Sequence, residues 1–239
     1  MPPGWKSDIL ALMADPRHPA TVRLTHWLAT LCFFALLLSG LEIVISHPRF
    51  YWGEAGNALS PPLFKIPIPA SRSTVPTGYK YTLPDQNGWS RSLHFQSAWL
   101  AVFIGIVYGL YGLFSNHFRK NLVPDLNRQS IGASLSNHLR FKPDPTDDYN
   151  VLQRISYLFV IFVLSPLVVW TGLAMSPAFV SAYPLTVTSL GGQQSARTIH
   201  FFVTILFVLF LLVHLGMIVL TGFTNRMRAM ITGRSKEQA

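Results

Sequence analysis

Eight histidines occur in the 239 residues, and four of them, His26, His94, His200 and His214, fall inside stretches that are otherwise almost wholly apolar. A buried imidazole is costly in lipid and needs a partner; a lone one is satisfied by a hydrogen bond between helices. Four placed in this way ask for more. Three of them carry one local signature: Arg23-Leu24-Thr25-His26, Arg91-Ser92-Leu93-His94 and Arg197-Thr198-Ile199-His200. In a helix, positions three apart share a face, and the arginine stands about 4.5 Å nearer the membrane surface than its histidine. An inward imidazole can then hold an iron while the guanidinium above it meets an anionic group. Haem b unites those needs, with an apolar macrocycle, an iron that takes axial imidazoles and two carboxylates at one edge. For any single arginine, snorkelling to lipid headgroups accounts for its place equally well.

The elements that must position these residues are legible in the composition. Half of the chain is apolar and 12% is charged, against about 25% charged residues in soluble domains, which excludes a water-soluble globule. Four apolar stretches, 24–46, 95–114, 155–175 and 198–221, reach the length of about 20 residues that crosses a hydrocarbon core. The expected fold is an all-α integral membrane protein, a bundle of four transmembrane helices. The net charge of +9 would raise nucleic acid in a soluble protein. No glycine-rich phosphate loop, zinc-finger spacing or basic stripe interleaved with aromatics accompanies it, so no nucleic-acid partner is expected. The single cysteine, Cys32, excludes an intrachain disulfide, an all-cysteine iron–sulfur cluster and a C-x-x-C-H covalent haem site.

The excess of basic residues has a topological meaning. The N-terminal segment through Arg23, the second connection through Arg154 and the C-terminal tail hold thirteen Lys and Arg, whereas the first and third connections hold six. By the positive-inside rule both termini are cytoplasmic. The expected organisation is a cytoplasmic segment 1–22, a membrane domain 23–221 with an outer loop 47–92 and an inner loop 115–154, and a cytoplasmic tail 222–239. The first apolar stretch ends in Glu42-Ile43-Val44-Ile45-Ser46, without a small-residue cleavage site, and reads as a retained helix. Residues 5–14 are weakly amphipathic and would lie along the inner surface or fray. The inner loop contains Pro143-Asp144-Pro145-Thr146-Asp147-Asp148, a helix-breaking linker.

The outer loop is rich in proline and aromatics, and Phe50, Tyr51, Trp52 and Phe64 are the anchors it would offer to an extracytoplasmic partner. A mobile solvated loop is the alternative. Pro166 should kink the third helix by crowding the carbonyl of Phe162. Gly105, Gly109 and Gly112 form a small-residue face suited to close helix packing or to a flat ligand.

Depth assigns the histidines to pairs. His200 and His214 are 14 residues apart, about 21 Å along the axis and about 40° around it, so one helix face offers a ligand near each membrane surface. His94 opens a helix that starts outside and His26 one that starts inside. The pairs are therefore His94 with His200, outer, and His26 with His214, inner. Ligation by two histidines leaves no open iron position, which suits electron transfer and disfavours oxygen or peroxide chemistry.

Together, Arg23-Leu24-Thr25-His26-Trp27, His94 and the His200/His214 spacing resemble the two-haem, four-helix membrane cytochromes b that serve nickel–iron hydrogenases, formate dehydrogenases and thiosulfate reductases. Tyr149-Asn150-Val151-Leu152-Gln153-Arg154, Thr171-Gly172-Leu173-Ala174-Met175-Ser176-Pro177 and the Gly191-Gly192-Gln193-Gln194 stretch before His200 are most similar to the thiosulfate-reductase branch. The long outer loop departs from the hydrogenase-type subunits. The resemblance implies two non-covalent haem b groups and a relay in a bacterial inner membrane. That relay joins an extracytoplasmic molybdenum oxidoreductase or hydrogenase to the quinone pool. It also implies a quinone site near the inner haem, where Asn116 and His117 are candidates; both read equally well as helix-end caps. The competing reading is a transporter or channel whose histidines relay protons or a metal, which explains buried histidines but not three matched arginines. A haem-free membrane anchor is a second competitor.

Overall fold

The computed structural model describes residues 18–57, 59–67, 87–124 and 151–234. The segment 5–14, Arg72 and Lys80 of the first connection, Tyr149, Asn150 and the stretch 143–148 lie outside the described residues. Among the described residues four helices are long and apolar enough to cross a membrane: α1 (Ala20–Ser46), α2 (Asn87–Phe114), α3 (Val151–Ala174) and α6 (Gln193–Leu220). The shortest has 24 residues, about 36 Å at 1.5 Å per residue, which exceeds a hydrocarbon core of about 30 Å. Between α3 and α6 lie two short helices, α4 (Pro177–Ala182) and α5 (Leu185–Thr188), and α7 (Phe223–Thr232) follows α6.

Proline and glycine set the boundaries. Pro19 precedes α1 and Pro48 follows its end, the positions where a missing N–H is tolerated and where a helix cannot continue. Gly222, at φ 104°, separates α6 from α7 in a left-handed conformation that costs a residue with a Cβ. Helix α2 begins eight residues before its apolar stretch and α6 five before its own. The leading turns are polar (Ser90, Arg91, Ser92; Gln193, Gln194, Ser195), so hydropathy misses them, yet nothing in them breaks a helix. Arg23, Arg91 and Arg197 consequently sit in the first two turns of α1, α2 and α6. Helix α3 loosens into a π-helical turn at Val160–Leu164, just before Pro166. The Val160 carbonyl accepts both the backbone N–H of Ser165, which closes that turn, and the Ser165 hydroxyl at 2.8 Å, so the widened turn keeps its acceptor satisfied.

By contacts the chain divides into two compact units, and all four long helices contribute to both. One unit comprises Leu31–Phe103 and Tyr157–Leu209; the other comprises Met1–Thr30, Ile104–Ser156 and Phe210–Ala239. In the first, β1 (Arg49–Phe50) and β2 (Phe64–Lys65) form an antiparallel hairpin, with Arg49 opposite Lys65 and Phe50 opposite Phe64. Phe50 is 1% exposed, stacked on Phe64 with centroids 4.6 Å apart and packed on Phe201 of α6 at 4.5 Å. Burying a phenylalanine contributes about 1.5–3 kcal/mol. Beyond the hairpin, Gly53 accepts from the backbone N–H of Gln194 and Ser195, and the Glu54 carboxylate accepts from that of Gln193 at 3.1 Å. These acceptors cap the N-terminus of α6, where unpaired N–H groups and the helix dipole favour an anion. Gly192, at φ 114°, lets the segments meet: a Cβ there would stand 2.5 Å from the Gly53 backbone.

In the other unit the start of α1 is tied to α7. An Arg23 guanidinium nitrogen donates to the Ile231 carbonyl at 2.6 Å and Trp27 Nε1 to the Met230 carbonyl at 3.2 Å. Both acceptors belong to the last turn of α7, whose carbonyls have no partner within their own helix. Gly112 accommodates the ring of Phe118, which occupies the place a Cβ would take. At Gly105 and Gly109 nothing lies within 4 Å of a Cβ. The expected close helix packing along this glycine face is therefore not what the described residues show.

Candidate functional site

His94 and His200 meet in the first unit with ring centroids 6.3 Å apart. His26 and His214 meet in the second, again at 6.3 Å. An imidazole nitrogen lies about 2.0–2.1 Å from a first-row metal, with the ring centre about 1.1 Å beyond, so two imidazoles on opposite sides of one ion have centres about 6.3 Å apart. Both pairs have that spacing. Among the described residues no three histidine, cysteine or acidic side chains converge, so neither pair belongs to the closed ligand set that zinc prefers.

Hydroxyls hold the rings of the first pair. Ser39 Oγ lies 3.0 Å from His94 Nδ1 and Thr171 Oγ1 lies 2.9 Å from His200 Nδ1. Each hydroxyl hydrogen is directed into its own helix: Ser39 donates to the carbonyls of Ala35 and Leu36, and Thr171 to those of Leu167 and Val168. The backbone carbonyls of Leu36 and Val168 also face His94 and His200, so hydroxyl oxygen and carbonyl together offer acceptors to Nδ1–H of each ring and favour the tautomer whose Nε2 carries the lone pair. A glycine follows each hydroxyl, with its Cβ position 3.5 Å (Gly40) and 3.8 Å (Gly172) from Cε1 of the same imidazole. Nothing in the spacing of Ser39 or Thr171 marked them in the sequence, although the repeated hydroxyl-glycine dipeptide was there to be seen. In the second pair His26 Nδ1 is buried without a hydrogen-bond partner, and His214 stacks on Phe210 at 5.6 Å.

The arginines fall into two groups. Arg197 donates to the His47 carbonyl and lies over the Phe50 ring, 5.0 Å from its centre. Arg91 is exposed. Partial desolvation lowers the pKa of His47, and the charges of Arg197 and Arg91 push it down further, so both cations gather at this imidazole. Arg23 makes the bond to α7 and keeps a buried Nε without an acceptor, as does Arg226 of α7. Arg226 escaped the sequence reading because no histidine lies three residues after it. Unpaired guanidinium N–H groups and clustered positive charge fit the carboxylates of haem b, and the paired imidazoles fit its iron.

The two quinone candidates differ. Asn116 is exposed and has φ 56°, the left-handed conformation that ends a helix. His117 is half-buried among Tyr108, Tyr111 and Phe118, with ring centroids 6.2, 5.8 and 6.3 Å away. Asn121 donates to its Nδ1 at 3.0 Å. The aromatic anchors of the first connection are a correction. Phe50 and Tyr51 are buried and Phe64 packs on Phe202, because they fasten the hairpin to α6. Of the four, Trp52, 60% exposed, remains available to a partner.

The family model described as prokaryotic cytochrome b561 matches residues 17–233. The chain belongs to that family. As a member of the cytochrome b561 family it is a multi-pass membrane haem protein of bacterial inner-membrane type that transfers electrons, with haem b as the family's group. The proton- or metal-relay reading is thereby set aside. A curated relative from Azospira oryzae, named "Putative protein-methionine-sulfoxide reductase subunit YedZ1", is 31% identical over 223 residues, covering 90% of this chain and 96% of the relative. No solved structure matches the chain.

Proposed function

We propose that this cytochrome b561 family protein holds two haem b groups non-covalently, one between His94 and His200 and one between His26 and His214. It carries electrons between an extracytoplasmic oxidoreductase and the membrane quinone pool. The observation that carries this reading is the occurrence, in separate units of one chain, of two imidazole pairs with the same 6.3 Å spacing. Held by two imidazoles, a haem would supply one-electron exchange and would leave oxygen and peroxide without a binding position. The chain's own residues do the rest. Arg91 and Arg197 supply positive charge to the unit of His94 and His200, and Arg23 with Arg226 to that of His26 and His214. With both termini cytoplasmic, the His94/His200 pair is the outer one, and the membrane domain spans 23–221.

His117 is the side chain for quinone. Burial lowers its pKa, which favours the neutral imidazole at pH 7, and with Nδ1 accepting from Asn121 its Nε2–H is left to donate to a quinone carbonyl. The relative's name points to a soluble redox enzyme of the methionine-sulfoxide reductase class as the partner. An enzyme of that class consumes electrons in reducing a sulfoxide, so electrons then flow from quinol outward. The reading is tested by the pyridine-haemochrome content of the purified protein. Two haem b per chain are expected; one per chain, or none, overturns it.

A further inference from the structure

We infer that Ser39 and Thr171 are positioning residues that fix the tautomers of His94 and His200 and thereby give the group held by that pair a redox potential of its own. The inference rests on the dihaem reading above. Both hydroxyl residues are fully buried, at 0% exposure, in helices otherwise lined by apolar side chains. A buried hydroxyl with its hydrogen committed to its own helix has one remaining use, which is to accept.

The arrangement occurs twice with the same parts. Ser39 on α1 serves His94 on α2 at 3.0 Å, and Thr171 on α3 serves His200 on α6 at 2.9 Å. In each case a glycine follows, at a position where a Cβ would come into ordinary van der Waals contact with Cε1 of the ring. The loosened turn at Val160–Leu164 lies about two to three turns before Thr171 and adjusts the helical phase at which that hydroxyl faces His200. Helix chemistry alone does not require two hydroxyls to sit on two imidazoles.

The electronic consequence follows from the direction of the bond. An imidazole whose N–H is held by an acceptor is a stronger electron donor through its other nitrogen, and a stronger donor favours the ferric over the ferrous state. Both imidazoles of one pair carry that bond. In the other pair, His26 Nδ1 has no acceptor. The two groups should therefore differ in potential, with Ser39 and Thr171 supplying the side-chain share of a restraint to which the carbonyls of Leu36 and Val168 also contribute.

The test is a spectroelectrochemical redox titration of the full-length protein and of S39A, T171V and T171S, with the ferric low-spin electron paramagnetic resonance spectrum recorded for each. The wild type must first show two haems per chain; if it does not, the dihaem reading fails before any variant is compared. Given two haems, S39A and T171V should each raise the midpoint of the same single wave and shift the g-values of one ferric signal. The other wave and signal stay fixed, and T171S keeps the wild-type values. Two unmoved waves, two waves that move together, or a T171S that behaves like T171V would overturn the inference. Because S39A and T171V lie on different helices, a folding failure of one leaves the other to decide.

Discussion

The unit containing His94 and His200 and the unit containing His26 and His214 present the same ring separation but reach it by different means. In the first, both rings are held by buried hydroxyls, and the entry to α6 is fixed by the hairpin, Gly53 and Glu54. In the second, one ring has no partner at Nδ1, and the start of α1 is secured by carbonyls at the end of α7. Polar restraint around an imidazole sets its tautomer and basicity, whereas restraint of the helix alone sets only its place. The first pair has a hydroxyl beside each ring; in the second, aromatic contacts with Trp27 and Phe210 flank the rings instead.

The largest way to break the comparison is to remove a ring. Alanine at His94 or His200 should abolish one haem and alanine at His26 or His214 the other, read as loss of half of the reduced-minus-oxidised absorbance. Loss of the same haem from H26A and H94A would dissolve the two-pair arrangement. Next in size is the clasp at α6. G192A would place its methyl against the Gly53 backbone and a side chain at φ 114°, and F50A would empty a buried site at about 3–5 kcal/mol. Both should lower the thermal stability of the protein and weaken haem retention by the His94/His200 pair before the other pair; equal loss from both would remove the distinction between the units.

A smaller effect belongs to the arginines. R197Q and R23Q each withdraw one positive charge, worth about 1–3 kcal/mol at such distances, and should lower the midpoint of the neighbouring haem only. Unchanged midpoints would assign both arginines to backbone and lipid contacts. The smallest effect is expected at His117. H117A should slow quinol-dependent haem reduction by about tenfold, the worth of one hydrogen bond, while dithionite reduction of both haems is unaffected. An unaltered quinol rate would move the quinone site elsewhere.

Much of this was legible in the sequence, and what was not has physical causes. The four helices, the membrane class and the family could be read because lipid imposes long apolar runs and makes every buried histidine conspicuous. The pairs His94 with His200 and His26 with His214, which the structure brings together, followed from helical rise and topology. Ser39 and Thr171 were hidden because a small hydroxyl residue in a membrane helix ordinarily bonds to its own backbone, and that bond does not reveal what its oxygen accepts. Phe50, Tyr51 and Phe64 were read as docking anchors because the sequence gives the size of an aromatic side chain but not which surface it covers. The family match does not single out the thiosulfate-reductase branch.

The central claim, two haems in two separately built pairs, is tested most directly by a redox titration of the four single histidine-to-alanine variants beside the wild type. The account predicts two resolved one-electron waves in the wild type, the same wave missing from H94A and H200A, and the other missing from H26A and H214A. A single wave in the wild type, or a wave lost jointly by H26A and H94A, would contradict it.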